Sequence, residues 1–389
     1  MIDFLSYTNF SEPKNANSSQ MRDQAYEICR KYLSGEWNQI SSDDMIFKTV
    51  SGGLSNLLFY CSLPSTHTPV SGEPSQVLLR MYGQLLEKND TKITDSVITM
   101  LLSERNLGPK VYGIFPSGRL EEYIPARAMM CKELKDPNLS MIIARKLAIV
   151  HNLNVPIKKE ATWLNDWANV WITNIRKINI TNEMNPLMKE LIRFDYENEF
   201  EILKTILSQC ASPIVFCHND LQEGNILLTS NQEQLPRLLS EMPSENDDHF
   251  NDQIVFIDFE FCAYNNRGFD IGNHFCERMF DYSNPEWPHF YSDLNEYPNE
   301  QAQRDFVREY LKQWKELKQC DDEFDNENHL IKEAEFYILA SHLLWTLWSL
   351  NSAATSKITF GYLEYGNTRL QAYFKHKKYV LEKYSVKME

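Results

Sequence analysis

The sequence predicts an α+β protein of two lobes, with a small β-rich lobe over residues 1–124 and a larger, mainly helical lobe over residues 125–389. A chain of 389 residues exceeds what one hydrophobic core usually holds. After a polar tail, the first lobe consists mostly of short apolar runs separated by turn residues, whereas the second shows apolar residues at helical spacing. Pro125 lies where the pattern changes and is the predicted hinge.

The predicted elements follow from these patterns in chain order. Those of the small lobe are helices near 22–33 and at 95–104, and strands at 46–50, 57–61, 77–81, 111–115 and 120–124. Those of the larger lobe are helices at 139–152, 163–178, 185–208 and from 302 onward, and strands at 214–217 and 254–257. Thr229–Asp252 is polar and acidic, which predicts a loop insertion.

Charge and composition exclude several classes of protein. The net charge of −15 argues against a nucleic-acid partner, because phosphate backbones are bound by basic surfaces. The longest apolar stretch, from Phe336 to Leu350, is interrupted by polar residues and is shorter than the roughly 20 residues that span a bilayer. The N-terminus lacks the pattern of a signal peptide, and the eight cysteines form no CxxC pair. We therefore expect a cytoplasmic protein with reduced thiols and no membrane span.

The strongest chemical signal is the segment His218-Asn-Asp220, which follows an apolar strand and is followed by Asn225. Phosphoryl transfer needs a carboxylate that orients and deprotonates the attacking hydroxyl, together with oxygen ligands for magnesium. The spacing His-x-Asp-x-x-x-x-Asn is the one that protein kinases use for this loop. Alone, the motif is equally consistent with an ordinary loop. A second carboxylate, Asp258, ends the strand at 254–257 and completes a set of oxygen ligands that suits a hard cation.

A glycine-containing turn and a basic strand residue indicate where a nucleotide binds. The turn lies between two strands and offers close backbone approach and side-chain donors to phosphates, through Gly52, Gly53, Ser55 and Asn56. By itself such a turn is more often a simple hairpin. Arg80 on the strand at 77–81 supplies a planar cation suited to phosphate, and we expect Asp95 or Glu104 on the next helix to hold it.

Together these segments resemble the choline/ethanolamine kinase family, whose fold is that of the protein kinases. The resemblance runs from about Phe47 to the C-terminus and is carried by residues 52–56, 218–228 and 258–277. It implies that Asp220 is the catalytic base and that Asn225 and Asp258, with Glu260, bind Mg²⁺. It further implies that the linker at 121–124, including Glu122 and Ile124, presents backbone groups to the adenine of ATP.

The resemblance also implies a cationic substrate and a pocket to hold it. A quaternary ammonium donates no N–H hydrogen bond, so aromatic faces and negative charge must recognise it. By resemblance the pocket consists of Gln222 near the hydroxyl and, around the ammonium, Glu277, Tyr282, Trp345, Trp348, Tyr362 and Tyr365. Without the kinase motifs, a tryptophan pair at helical spacing would more often be core packing. Segments 222–224 and 275–277 resemble choline kinases more than ethanolamine kinases.

The sequence thus predicts an ATP- and Mg²⁺-dependent choline kinase that makes phosphocholine, the first step of phosphatidylcholine synthesis, and the family resemblance implies a homodimer. Phosphorylation of ethanolamine, or of both amines, is the alternative, because a primary ammonium also accepts carboxylates and aromatic rings. Aminoglycoside phosphotransferases share the catalytic loop but lack the long segment around Asp270. The sequence departs from the family at Asp95, where glutamate is usual, and at Arg278, where tryptophan is usual.

Overall fold

The computed structural model describes residues 10–11, 17–50, 57–70, 72–82, 89–229, 253–318, 321, 323–356 and 358–388. The chain forms two compact units. The first comprises Met1–Arg127 with two later segments, Leu227–Thr229 and Val255–Glu260. The second comprises Ala128–Ile226, Ser230–Ile254 and Phe261–Glu389. Two strands that come late in the sequence therefore contribute residues to the N-terminal unit, which a purely linear division at Pro125 does not anticipate.

The first unit contains a six-stranded antiparallel sheet in the order β1-β2-β3-β4-β6-β5. Its strands are β1 (Phe10–Ser11), β2 (Ile46–Val50), β3 (Leu57–Ser62), β4 (Gln76–Met81), β5 (Val111–Phe115) and β6 (Gly118–Glu122). Its helices are α1 (Asn17–Tyr32) and α2 (Asn89–Glu104), with a short 3₁₀ helix at Gly35–Asn38. The positions predicted for β2 to β6 are confirmed to within two residues.

The core of the first unit lies between α1 and the sheet. Cys29 of α1 and Trp37 of the 3₁₀ helix are buried with Phe47 and Phe59, whose rings stack 5.2 Å apart. Phe47 and Phe59 lie on the neighbouring strands β2 and β3, where alternate residues face the same side of the sheet. The alternation that predicted these strands is therefore the one that fills the core.

The remaining elements are mostly helices of the second unit. The helices are α3 (Cys131–Leu134), α4 (Pro137–His151), α5 (Trp163–Arg176), α6 (Pro186–Leu191), α7 (Tyr196–Leu207), α8 (Arg267–Glu277), α9 (Glu300–Leu317), α10 (Glu327–Thr355) and α11 (Tyr362–Tyr384). The strands are β7 (Arg127–Ala128), β8 (Ile214–Cys217), β9 (Ile226–Leu228), β10 (Ile254–Phe256), β11 (Ala263–Asn266), β12 (Phe280–Asp281) and β13 (Tyr291–Ser292). The α+β composition predicted from the sequence is confirmed.

Helix α10 is the centre of the second unit and is buried on nearly all sides between Leu330 and Ser352. A helix that is apolar all round is buried by its neighbours, and here α5, α8, α9 and α11 all pack on it. Glycines allow the closest approach: a Cβ at Gly272 of α8 would lie 2.7 Å from the carbonyl oxygen of Ala334. Because Gly272 precedes Glu277 on α8, this packing fixes the position of a predicted substrate-binding residue.

Two predictions about helices need correction. The segment 185–208 forms two helices rather than one, because Asp195 caps α7 by accepting a hydrogen bond from the Asn198 backbone N–H at 3.1 Å. Helix α8 was not predicted at all. Among the described residues no helix is long and apolar enough to cross a bilayer. The acidic insertion predicted at 229–252 lies, apart from Thr229, outside the described residues.

Candidate active site

A buried chain of ion pairs crosses the sheet of the first unit. Arg80 of β4 and Arg119 of β6 lie directly opposite each other, and Glu121 accepts from both. Its Oε1 accepts from Arg80 Nε at 3.2 Å and its Oε2 from Arg119 Nε at 2.7 Å. Arg119 Nη1 also donates to Asp95 Oδ2 at 2.5 Å, and Arg80 Nη1 donates to Asp258 Oδ1 at 3.0 Å. Two like charges on adjacent strands are thus held together by one shared carboxylate, that of Glu121, and each arginine has a second acidic partner of its own.

The pKa values of the buried acids Glu121 and Asp95 are shifted in opposite directions, because Glu121 accepts hydrogen bonds from both arginines and Asp95 from Arg119. Burial alone would raise the pKa of Glu121, but Arg80 and Arg119 outweigh it and bring that pKa below its usual value. Burial raises the pKa of Asp95, and the hydrogen-bonded Arg119 with the more distant charge of Arg80 only partly offsets the effect. Glu121 is therefore the carboxylate whose charge the network stabilises most directly.

The predicted partner of Arg80 was wrong. Asp95 accepts from Arg119 instead, and Glu104 is exposed. Glu121 is instead the acid that binds Arg80. Arg119 and Glu121 are two residues apart on β6 and project to the same face of the sheet, and Arg80 lies opposite Arg119 on β4. The alternation Arg119-x-Glu121, opposite Arg80, was the available signal for this pair.

Asp258 and Glu260 follow β10 within the first unit. Asp258 has φ 64°, a left-handed conformation that is uncommon outside glycine and tends to occur at functional sites. Its side chain is 24% exposed, and Arg80 binds one of its oxygens. Glu260 lies in the 3₁₀ turn Phe259–Phe261, within electrostatic reach of Arg80. Carboxylate oxygens of this kind are the donors that Mg²⁺ prefers, so the two residues fit a magnesium site.

The other residues predicted to bind nucleotide are only partly described. The Glu122 backbone N–H donates to the Lys110 carbonyl at 2.7 Å, and its carboxylate accepts from the Lys110 N–H at 3.1 Å. The Ile124 carbonyl accepts from the Ala126 N–H at 2.8 Å. These backbone groups therefore already have partners within the chain. Gly52, Gly53, Ser55 and Asn56 lie outside the described residues.

The predicted catalytic loop belongs to the second unit and follows β8. The Asn225 side chain donates to the Asp220 carbonyl at 2.8 Å and to the Asp220 carboxylate at 3.0 Å. Because the amide nitrogen of Asn225 donates both bonds, its oxygen is the atom that would contact a metal. The two predicted residues are therefore together, with a geometry that suits a base beside a metal ligand.

A buried aspartate on α8 clamps the start of this loop. Asp270 accepts hydrogen bonds at 2.6 Å from the backbone N–H groups of both His218 and Asn219, and it contacts His151 Nε2 at 3.1 Å. Asn219 has φ 66°, and these contacts hold its left-handed backbone in place. The pKa of Asp270 is lowered despite burial because His151 and the backbone donors stabilise its charge. Sequence reasoning assigned Asp270 no role, although it lies in the segment that carries the family resemblance.

Acid and phenol groups meet an arginine at the predicted amine pocket in the second unit. The Tyr282 hydroxyl donates to Glu277 Oε2 at 2.9 Å and lies 3.0 Å from the Tyr365 hydroxyl. Arg369 donates to Glu277 Oε1 and, at 2.8 Å, to the Tyr365 hydroxyl. Its guanidinium carbon also lies 4.0 Å from the Phe280 ring centroid. Sequence reasoning missed Arg369, although it lies four residues after Tyr365 on the same helical face.

The two predicted tryptophans differ in their surroundings. Trp345 is buried, and its indole N–H donates to Asn273 at 2.8 Å. Trp348 is half-buried, and its ring centroid lies 5.6 Å from that of Tyr362 and 6.3 Å from that of Tyr365. Trp348 therefore presents an aromatic face beside Tyr362 and Tyr365, while Trp345 is buried and packs against the Trp348 ring.

Gln222 and Glu223 lie on the loop between Asp220 and Asn225. The Gln222 side-chain oxygen accepts from the Gly224 N–H at 2.7 Å, which leaves its amide nitrogen as the group that can meet a hydroxyl. Glu223 is buried, and its Oε1 accepts from the Tyr282 N–H at 3.4 Å. Burial and the nearby Glu277 raise the pKa of Glu223 well above its usual value. Sequence reasoning gave Glu223 no role.

Comparison with known proteins identifies the family of this chain. The profile of the choline/ethanolamine kinase family matches residues 47–374. A human protein named choline/ethanolamine kinase is 42% identical over 371 residues, which cover 94% of this chain and 89% of the human protein. Mouse choline kinase alpha is 37% identical over 380 residues, which cover 92% of this chain and 81% of the mouse protein.

A solved structure extends the similarity to the fold. The crystal structure of choline kinase from Cryptosporidium parvum has a TM-score of 0.67 and 26% sequence identity, and the match covers 92% of this chain and 96% of that one. The extent of these similarities shows that the chain is a kinase of protein-kinase-like fold that belongs to the choline/ethanolamine kinase family.

Proposed function

We propose that this protein is a choline kinase that transfers the γ-phosphoryl group of ATP to the hydroxyl of choline, giving phosphocholine and ADP. The observation that carries the proposal is the set of aromatic rings from Tyr282, Trp348 and Tyr365 beside the buried Glu277. Rings with a negative electrostatic face and a nearby acid suit a quaternary ammonium, which donates no N–H hydrogen bond.

The residues of the catalytic loop suit the chemical step. Asp220 accepts the proton of the choline hydroxyl as the oxygen attacks the γ-phosphorus, and the bond from that phosphorus to the bridging oxygen of ADP breaks. Arg80 contacts the nucleotide phosphates. Asn225, Asp258 and Glu260 would hold magnesium, which when bound neutralises charge on the β- and γ-phosphates. Homodimer formation and cytoplasmic location stay predictions.

Ethanolamine is the second candidate substrate, and Glu223 favours it. Oε2 of Glu223 is a buried acceptor without a hydrogen-bond partner in the part of the chain that the structure describes. A primary ammonium has N–H groups that could satisfy such an acceptor, whereas choline has none. The human relative, whose name includes both amines, is consistent with activity on both.

The test is consumption of ATP with magnesium, measured with and without choline or ethanolamine. We expect either amine to stimulate ATP consumption and competition kinetics to rank the two. Asp220→Ala should lower turnover by roughly 10²–10⁴-fold, the usual contribution of a general base. Its thermal melting temperature should stay close to that of the unsubstituted protein, because Asp220 is not fully buried. Substantial surviving turnover in the folded variant would contradict the role of Asp220, and ATP consumption indifferent to both amines would contradict the function.

A further inference from the structure

The acid predicted to bind the substrate's positive charge is already neutralised by the protein. Both oxygens of Glu277 have donors, Tyr282 at Oε2 and Arg369 at Oε1. Arg369 is fully buried and has no exposed surface through which water could screen its charge. The positive charge of Arg369 therefore cancels the negative charge of Glu277 at close range. A substrate ammonium that met this pair alone would meet no net charge.

A second buried acid lies beside the pair. Glu223 is 6% exposed, and its Oε1 accepts from the backbone N–H of Tyr282, the residue whose hydroxyl binds Glu277. Its Oε2 has no hydrogen-bond partner among the described residues. No lysine, arginine or histidine of the described segments forms an ion pair with Glu223. Glu277 and Asp281, both acidic, are the carboxylates within electrostatic reach.

An unpaired carboxylate in such a position is costly. Burying a carboxylate without a counter-charge costs several kcal/mol even after the protein relaxes. A bound cation would remove much of that cost, since a charge of opposite sign favours the ionised form. With both glutamates ionised, Glu223, Glu277 and Arg369 together carry one net negative charge, which matches the single positive charge of an amino alcohol.

We propose that Glu223 supplies the net negative charge that binds the ammonium of the substrate, while Glu277 chiefly positions Arg369 and Tyr282. This inference rests on the proposed function, because it concerns how that substrate is held. It also bears on selectivity. A primary ammonium can both meet the charge of Glu223 and donate an N–H to Oε2, whereas a quaternary ammonium can only meet the charge.

Three ligands separate charge from shape. Choline and 3,3-dimethyl-1-butanol share one shape, with a positive nitrogen in the first and a neutral carbon in the second, and ethanolamine adds N–H donors. Dissociation constants for all three are measured by calorimetry on the full chain. For Glu223→Gln we expect choline binding to weaken by about tenfold and ethanolamine binding to weaken further, as for loss of a charge-assisted contact. Binding of 3,3-dimethyl-1-butanol should stay within about twofold.

Control variants keep the outcome unambiguous. Asp281→Asn removes a nearby but less buried charge, and it should leave the three constants within about twofold because solvent screens that group. Glu223→Leu, which leaves no polar atom unpaired, should reproduce the loss that is selective for the charged ligands. An equal loss for all three ligands, or no loss for any, would overturn the assignment of Glu223. Failure of the unsubstituted protein to phosphorylate either amine would instead overturn the proposed function.

Discussion

Buried arginines bind acidic side chains in both compact units, but the two sets differ in how many arginines the central glutamate contacts. In the first unit, Glu121 is shared by Arg80 and Arg119, so it keeps a partner if either arginine is removed. In the second unit, Glu277 has Arg369 as its cationic partner, and the remaining contact is the neutral hydroxyl of Tyr282. The difference teaches that the ion pairs of the first unit are redundant, whereas Glu277 in the second unit depends on one buried ion pair.

The two sets nevertheless share a balance of charge. In the described part of the first unit, two arginines meet three carboxylates, those of Asp95, Glu121 and Asp258. In the pocket of the second unit, one arginine lies with two carboxylates, those of Glu223 and Glu277. With these side chains ionised, each named set carries one net negative charge, which would favour the cation proposed for it, a metal ion in the first unit and an ammonium in the second.

Removal of one arginine from each set should produce the largest effect. Arg369→Met leaves Glu277 as a buried, unpaired charge, and we expect a loss of about 3–5 kcal/mol in the free energy of unfolding. Arg80→Met leaves Glu121 paired with Arg119, and Asp258 is partly exposed to water, so we expect a smaller loss of about 1.5–3 kcal/mol. Urea denaturation followed by circular dichroism measures both. Equal losses in the free energy of unfolding for the two variants would contradict the view that Glu277 depends on one arginine while Glu121 has two.

A double variant tests the cause of that loss. Replacing a buried ion pair by apolar residues of similar size is often close to neutral. Arg369→Met combined with Glu277→Met should therefore recover most of the stability that Arg369→Met loses. A double variant no more stable than the single one would show that the contact of Arg369 with Phe280 and Tyr365, rather than the ion pair, supplies the stability.

Local patterns predicted most of the elements that carry the site. Strand alternation found β2 to β6, and helical spacing found α4 and α5 to within two residues. Helix α8 was missed although its polar and apolar residues recur at helical spacing, and both kinds of residue are buried. Its charged residues are buried by partners that are distant in the sequence, such as Asp325 for Arg267 and His151 for Asp270, and spacing along α8 does not reveal those partners.

The side-chain partners were harder to predict than the elements. Asp220 and Asn225 are five residues apart, and their contact follows from one local motif. Glu277 and Arg369 are separated by 92 residues, and Arg80 and Glu121 by 41. Such pairs depend on how strands and helices pack, which spacing along the chain does not encode. This is why the sequence offered Asp95 for Arg80 and gave no role to Arg369 or Glu223.

Removal of an aromatic ring from the predicted amine pocket should change the KM for the amine without changing the KM for ATP. Trp348→Ala takes away a ring near Tyr362 and Tyr365, and a desolvated cation–π contact contributes up to about 2 kcal/mol. We expect the KM for the amine to rise by about tenfold while the KM for ATP stays unchanged. Trp345→Phe is the matched control: it loses the indole hydrogen bond to Asn273 and should lower Tm with little change in either KM. Equal rises in both KM values for Trp348→Ala would indicate a structural role.

The smallest effect that we expect is a difference in how the free energy of unfolding depends on pH between variants of two buried residues, His376 of the second unit and Glu121 of the first. Burial lowers the pKa of His376 to about 4, so the unfolded chain takes up a proton below pH 6.5 that the folded chain refuses. The contribution of neutral His376 is therefore complete above that pH and is lost as pH falls. Between about pH 7.5 and 5.5, the unsubstituted protein should lose about 1 kcal/mol more than His376→Gln.

Glu121 provides the opposite control for this measurement. Burial would raise the pKa of Glu121, but Arg80 and Arg119 hold it below 4.5, so its contribution is present above that pH and is lost only under more acidic conditions. Glu121→Gln should therefore lower stability by the same amount at about pH 7.5 and 5.5. Urea denaturation at the two pH values measures the slopes. A His376→Gln curve parallel to that of the unsubstituted protein would show that the buried imidazole already carries its proton, and the acid sensitivity would then lie elsewhere in the second unit.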